Sequence, residues 1–163
     1  MTKEEPDLDW FGRKLNYPMF IVTTTGSSER SGCLVGFATQ CSVHPVRFAV
    51  FISKKNHTYG IAAGATALAI HVVPPTEMEL AELFGGETGD AIDKFERCSW
   101  EPGPLGSPLV TACPNWCEGP IVTSLDAGDH GCFIIEPQHG NSTEEVIALS
   151  FDTAKTIEPG HET

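Results

Sequence analysis

The sequence predicts a mainly β protein, a closed antiparallel barrel with short peripheral helices. Three observations lead there. Runs of β-branched and apolar residues follow one another at short intervals, interrupted only by short helical stretches. Glycine falls inside several of those runs, and the second, "GCLVGFATQCSV", shows little polar alternation, which fits a closed barrel best. Helices do not alternate with strands and no glycine-rich fingerprint opens a long helix, so a doubly wound nucleotide-binding sheet fits badly.

The elements follow in order. A short helix is expected around Leu8 to Lys14, and "MFIVTTT" reads as a strand closed by Gly26-Ser27-Ser28. "GCLVGFATQCSV" from Gly32 and "RFAVFIS" from Arg47 are two further strands, separated where Pro45 stops regular pairing. "HTYGIAAGATA" loses the two-residue alternation and gains small residues at helical spacing, with Asn56 just ahead as an N-cap. "LAIHVVP" returns to strand. In "TEMELAELFGG", Thr76 can cap a helix, Leu80, Leu83 and Phe84 share a face, and Gly85-Gly86 stop it. A second short helix is expected around "GDAIDKF", and "WEPGPLGSP" reads as a loop. "GPIVTSLD" and "GCFIIEP" are strands joined by the hairpin-length "AGDH", and "EVIALSFD" offers a last strand.

A chain of 163 residues suits one domain, and its 40% hydrophobic and 20% charged residues are ordinary globular composition. A net charge of -12 argues against nucleic acid and anionic membranes as partners, because both repel such a surface unless a basic patch gathers the few positive charges. The N-terminal "MTKEEPDLDWFGRK" lacks the apolar core of a signal peptide and no run is long enough to span a bilayer, so the cytoplasm is the expected compartment. The six cysteines then read as reduced thiols. Cys113 and Cys117 of "CPNWC" would stand about 13 Å apart in an extended segment, too far to share a zinc ion. A turn at Pro114-Asn115 would bring them closer, which keeps a zinc site as an alternative.

The stretch with most chemistry is "FISKKNHTYG". In so acidic a chain, Lys54 and Lys55 stand together at a strand-to-helix junction, with Ser53, Asn56, His57 and Thr58 around them. Exposed N–H groups at a helix start attract anions, phosphate above all, and the two ammonium groups reinforce them; a solvated corner is the plainer reading. His71 inside "LAIHVV" reads as a core histidine. His130 ends the "AGDH" connection beside Asp129, which need not orient it, because neighbouring strand residues point to opposite faces. Glu79 and Glu82 read as a wet helix face. Cys41 in "TQCS" has the chemistry of a nucleophile without an identifiable partner, and no G-x-S-x-G elbow or H-E-x-x-H helix occurs, so hydrolytic chemistry is poorly supported.

Four stretches in this order, "YPMFIVTTT", "GCLVGFATQCSVHP", "DKF" at Asp93 to Phe95 and "GDH" at Gly128 to His130, resemble the flavin reductase-like family of FMN-binding split barrels. The similarity runs from about Tyr17 to Pro137, and the closing "EPGHE" is similar to the tail of an actinobacterial-type subgroup. The resemblance implies a six-stranded antiparallel split barrel spanning residues 17–150, with an N-terminal extension over 1–16 and a C-terminal tail over 151–163. It further implies a homodimer with the flavin at or near the subunit interface.

Carried over by position, Gly36, Phe37, Ala38, Gln40, Cys41 and Ser42 would line the isoalloxazine and ribityl chain. Ser53, Lys54, Asn56, His57 and Thr58 would lie near the phosphate, Lys94 takes the basic position of "D-[RK]-F", and His130, the catalytic candidate, would face the incoming nicotinamide. The sequence departs from the family's pattern at Leu34 and Phe37, where threonine and serine are usual, and at His44-Pro45-Val46, where the family has Asp-Pro-Pro. The function implied is NAD(P)H-dependent reduction of FMN, supplying reduced flavin to a partner oxygenase. FAD or a deazaflavin are alternative cofactors, and a flavin carrier or sensor without turnover is the alternative function. The flavin accepts hydride at its own N5, so the side chains need supply no acid–base pair.

Overall fold

The computed structural model describes residues 4–161. Its strands are β1 (Phe20–Thr25), β2 (Arg30–Val35), β3 (Ala38–Val43), β4 (Val46–Ser53), β5 (Ala67–Val72), β6 (Trp100–Pro102), β7 (Pro108–Val110), β8 (Trp116–Asp126), β9 (His130–Ile135) and β10 (His139–Asn141). The helices are α1 (Trp10–Arg13), α2 (His57–Gly64), α3 (Met78–Gly86) and α4 (Phe151–Ala154). The principal sheet runs β2-β1-β5-β8-β9-β4-β3, with β10 added to β8. Every named pairing is antiparallel.

The ends of that path explain the barrel. β2 and β3 lie at opposite ends of the sheet, yet only Gly36 and Phe37 separate them in the chain. The sheet must therefore curl until its two edges meet. Counting β2 and β3 as one bent strand leaves six staves: the bent strand, β1, β5, β8, β9 and β4. The long β8 serves both halves, pairing with β5 through Trp116 to Pro120 and with β9 from Ile121 onward. Its bend is glycine-dependent, because a Cβ at Gly119 would overlap the carbonyl of Glu136.

Strand alternation divides the core in two. Phe20 and Val22 of β1 point into the barrel with Val50, Ile52, Leu68 and Phe133, whereas Met19 and Ile21 point outward onto Leu80, Phe84 and Phe95. β1 is thus covered on both faces, which its unbroken apolar run requires. His71 of β5 ties β1 to β7 on the outer side of the sheet. Its Nδ1 donates to Ile21 O at 2.9 Å, and its Nε2 accepts from Val110 N at 3.0 Å.

Several expectations shift. The run "GCLVGFATQCSV" is not one regular strand but two, broken at Gly36-Phe37. "WEPGPLGSP" is not a loop throughout: β6 and β7 form a hairpin whose turn is held by Glu118, with Oε1 accepting from Leu105 N at 2.7 Å and Oε2 from Ser107 N at 2.9 Å. A helix at "GDAIDKF" is replaced by a turn and a 3-10 helix over Lys94–Glu96, whose Phe95 N donates to Asp93 Oδ1. Glu77, not Thr76, occupies the N-cap of α3. "EVIALSFD" forms no strand. Only Leu149 and Ser150 pair with neighbouring backbone before α4 begins, because β1 and β5 already hold each other along that edge.

Candidate functional site

The break between β2 and β3 borders a cavity of about 400 Å³. Gly36 lets the chain turn past Tyr17, whose ring a Cβ at that position would overlap. Phe37 then projects outward, half-exposed, its ring centroid 5.3 Å from that of His130 and 6.1 Å from that of Tyr17. Tyr17 stacks at 4.6 Å on Phe151 of α4. This aromatic row forms one apolar wall, with Leu34 and Phe51 also lining the cavity. Ser53, Asn56, Asp129 and His130 supply the polar lining.

The strand-to-helix junction positions that polar end. Asn56 caps α2, its Oδ1 accepting from Thr58 N at 3.0 Å, and Asn56 N donates to Ser53 O at 2.9 Å. Lys54 fastens the junction to the β8–β9 hairpin: its N donates to Asp129 O at 2.9 Å and its Nζ pairs with Asp126 Oδ1 at 2.8 Å. The Asp126 contact raises the Lys54 pKa and lowers that of Asp126. The turn itself depends on Gly128 at φ 120°, in the left-handed region. Because Asp129 belongs to that turn and not to the strand, strand alternation does not separate it from His130. His130 Nδ1 donates to Asp129 Oδ1 at 2.7 Å, contrary to the expectation that the two need not meet.

The remaining candidates lie elsewhere. His57 faces a second, polar cavity of about 280 Å³, where Nδ1 donates to Asp90 Oδ1 at 2.6 Å and Nε2 to Glu29 Oε2 at 3.0 Å. Burial pulls the His57 pKa down, but Glu29 and Asp90 together outweigh it and the net shift is upward. Thr58 is buried against Ser31, their hydroxyls 2.8 Å apart. Lys94 also borders the second cavity, yet its buried Nζ donates to Gly32 O at 3.0 Å and Phe84 O at 2.9 Å, tying β2 to α3. Desolvation lowers its pKa. Ala38, Gln40, Cys41 and Ser42 lie on β3, outside the lining of either cavity. Gln40 Nε2 there donates to Ser42 O across a bulge.

The structure therefore gathers Gly36, Phe37, Ser53, Asn56 and His130 around one cavity and distributes the others around it. Sequence reasoning missed Tyr17, Phe51, Phe151, Pro159 and His161, which also line it. Tyr17 and Phe151 sit near opposite chain ends, where no local periodicity connects them.

Six antiparallel staves closed through the β2–β3 bend make a split barrel of the flavin reductase type. The flavin reductase like domain matches residues 11–155, and the chain belongs to that family. It is 26% identical over 140 residues to the ferric-chelate reductase (NAD(P)H) of Archaeoglobus fulgidus, covering 85% of this chain and 83% of that one. It is 28% identical over 116 residues to the 4-hydroxyphenylacetate 3-monooxygenase reductase component of Salmonella typhimurium, covering 71% of this chain and 68% of that one. Among solved structures, the NADH:FAD oxidoreductase of Streptomyces globisporus C-1027 superimposes with a TM-score of 0.82 at 20% identity, covering 92% of each chain. A protein of Sinorhizobium meliloti 1021 superimposes with a TM-score of 0.78 at 22% identity over 87% of this chain, which spans only 48% of that protein.

Proposed function

We propose that this chain is a homodimeric, cytoplasmic NAD(P)H-dependent flavin reductase that reduces FMN and hands the reduced flavin to a partner oxygenase. The observation that carries the reading is the cavity beside the β2–β3 break: aromatic and aliphatic walls for a planar ring, and amide and hydroxyl groups at the start of α2 for a phosphate. The residues present fit a flavin mononucleotide. Phe37, Phe51 and Leu34 would cover the ring, and Ser53 and Asn56 would donate to the phosphate. Lys54 does not line the cavity; its ammonium is engaged by Asp126 and holds the junction to the β8–β9 hairpin. A bound flavin supplies the hydride-accepting centre.

The protein's own task is then to bind, orient and exclude water. His130, held by Asp129 and packed on Phe37, forms the side at which a nicotinamide ring would enter. Val43, Val46, Val122 and Leu125 leave large apolar side chains exposed on β3, β4 and β8, and β3 is a sheet edge; a second copy covering this face would satisfy both. Delivery to an oxygenase rests on the similarity to a monooxygenase reductase component. Among the described residues no helix is long and apolar enough to cross a membrane.

The test is purification followed by reconstitution with FMN, then anaerobic addition of NADH or NADPH. Bleaching of the flavin absorption at a catalytic rate is the expected result. Flavin binding without bleaching by either donor would make the protein a carrier or sensor, and no flavin uptake at all would end the reading. Light scattering should give twice the monomer mass, reverting to one on Val43→Asp with Leu125→Asp.

A further inference from the structure

The C-terminal tail is built into the same cavity, and neither the barrel nor the family resemblance assigned it a role there. After α4 the chain turns back over the end of α3. Ile157 packs against the outer core, and Gly160 N donates to Gly85 O at 3.2 Å. The crossing is sterically specific: a Cβ at Gly160 would lie 2.5 Å from the carbonyl carbon of Glu87 and 2.8 Å from Thr88 N. Gly86 faces the tail from the other side, 3.4 Å from Glu158 O as measured from a Cβ built upon it. The residues flanking Gly160 are the two that reach the cavity, Pro159 and His161. A hydrogen bond and a close glycine crossing thus fix a prolyl ring and an imidazole in the lining of the cavity.

Charge suggests what the imidazole is for. A chain of net charge -12 repels an anionic nucleotide, so donors must be concentrated where the phosphate lies. Among the described residues lining this cavity, His130 and His161 are the ones that can carry positive charge. His130 abuts the Phe37 ring and so belongs to the ring-binding part, whereas His161 is brought to the lining by the tail.

We propose that the tail is a wall of the nucleotide site and that His161 is a specificity-determining residue, its imidazole N–H donating to a phosphate oxygen of the bound nucleotide. The inference rests on the cavity holding a nucleotide, as in the reading above. The phosphate has two sources, the flavin's own ester or the diphosphate of the hydride donor, and paired ligands separate them.

The experiment measures dissociation constants of the full chain for FMN and riboflavin, and Michaelis constants for NADH and the phosphate-free reduced nicotinamide riboside. His161→Ala is expected to weaken the phosphate-bearing member of one pair about tenfold while leaving its phosphate-free member unchanged. The affected pair names the source. His161→Gln, which keeps an N–H donor, should recover part of the loss, and Gly160→Val, which dislodges the tail, should reproduce it. Equal weakening within both pairs, or no change in either, overturns the assignment while leaving the reductase reading intact. Wild-type protein that binds no nucleotide removes both.

Discussion

Asp129 and His130 are adjacent in sequence, yet they lie on the same side of the chain because Asp129 completes a turn and His130 begins β9. The 2.7 Å hydrogen bond from His130 Nδ1 fixes the orientation of an imidazole that lines the cavity. Asp129 is held below the usual carboxylate range by that same contact. Replacing Asp129 by Asn keeps the shape but lets the ring reorient, and turnover with NADH is expected to fall about tenfold with flavin binding unchanged. His130→Ala should cost about as much or more. Stopped-flow measurement of flavin bleaching checks both, and unchanged rates in both variants would place hydride transfer elsewhere.

Asn56 separates two roles that are usually entangled. It caps α2 through its side-chain oxygen, and it also lines the cavity. Asp caps as well as Asn, so Asn56→Asp should leave the melting temperature within a few degrees of wild type. A carboxylate at that position would repel a phosphate, however. FMN affinity should drop at least about tenfold while riboflavin affinity changes little, as read by fluorescence titration. Equal changes for both ligands would place the phosphate away from α2.

Lys94 brings a buried ammonium to two carbonyls, Gly32 O and Phe84 O. Lys94→Ala removes both hydrogen bonds and leaves those oxygens buried, so unfolding free energy is expected to fall by about 2 to 3 kcal/mol. Urea denaturation of the apoprotein measures it. A loss below about 0.5 kcal/mol, accompanied by selective loss of FMN over riboflavin, would mean that the ammonium serves a ligand and not the α3–β2 junction.

The barrel was legible because its signals are local. "MFIVTTT", "RFAVFIS" and "GCFIIEP" each contain enough β-branched and aromatic residues to read as strands without knowing their partners. The cap at Asn56 was legible for the same reason. What stayed hidden depends on distant partners. The β6–β7 hairpin lies in a proline- and glycine-rich run and is held by Glu118 from β8 and by Thr23 Oγ1 from β1, which donates to Pro108 O. The bend at Gly36-Phe37 is set by the Tyr17 ring, and apolar continuity conceals it. Tyr17, Phe151, Pro159 and His161 meet only because the fold returns both chain ends to one place.

His71 makes the fold's pH dependence predictable. It is fully buried, and burial drives its pKa down from 6.5 to about 4, with the hydrogen bond to Ile21 O opposing only part of that shift. Its Nε2 must stay unprotonated to accept from Val110 N. At neutral pH both the folded and unfolded chains carry it neutral, and it adds no slope. As pH falls below about 6.5 the unfolded chain takes up a proton that the folded chain refuses until about 4, so stability is lost across that window. The full loss amounts to about 3 kcal/mol, of which about 2 is gone by pH 5. His57 contributes with the opposite sign. Its raised pKa gives stability that is complete below its unfolded value and is lost as pH rises through the folded one. Urea unfolding of wild type and His71→Gln at pH 7 and pH 5 isolates the first effect. The wild type should lose about 2 kcal/mol more than the variant over that interval, and equal losses would mean that the His71 proton is not linked to unfolding.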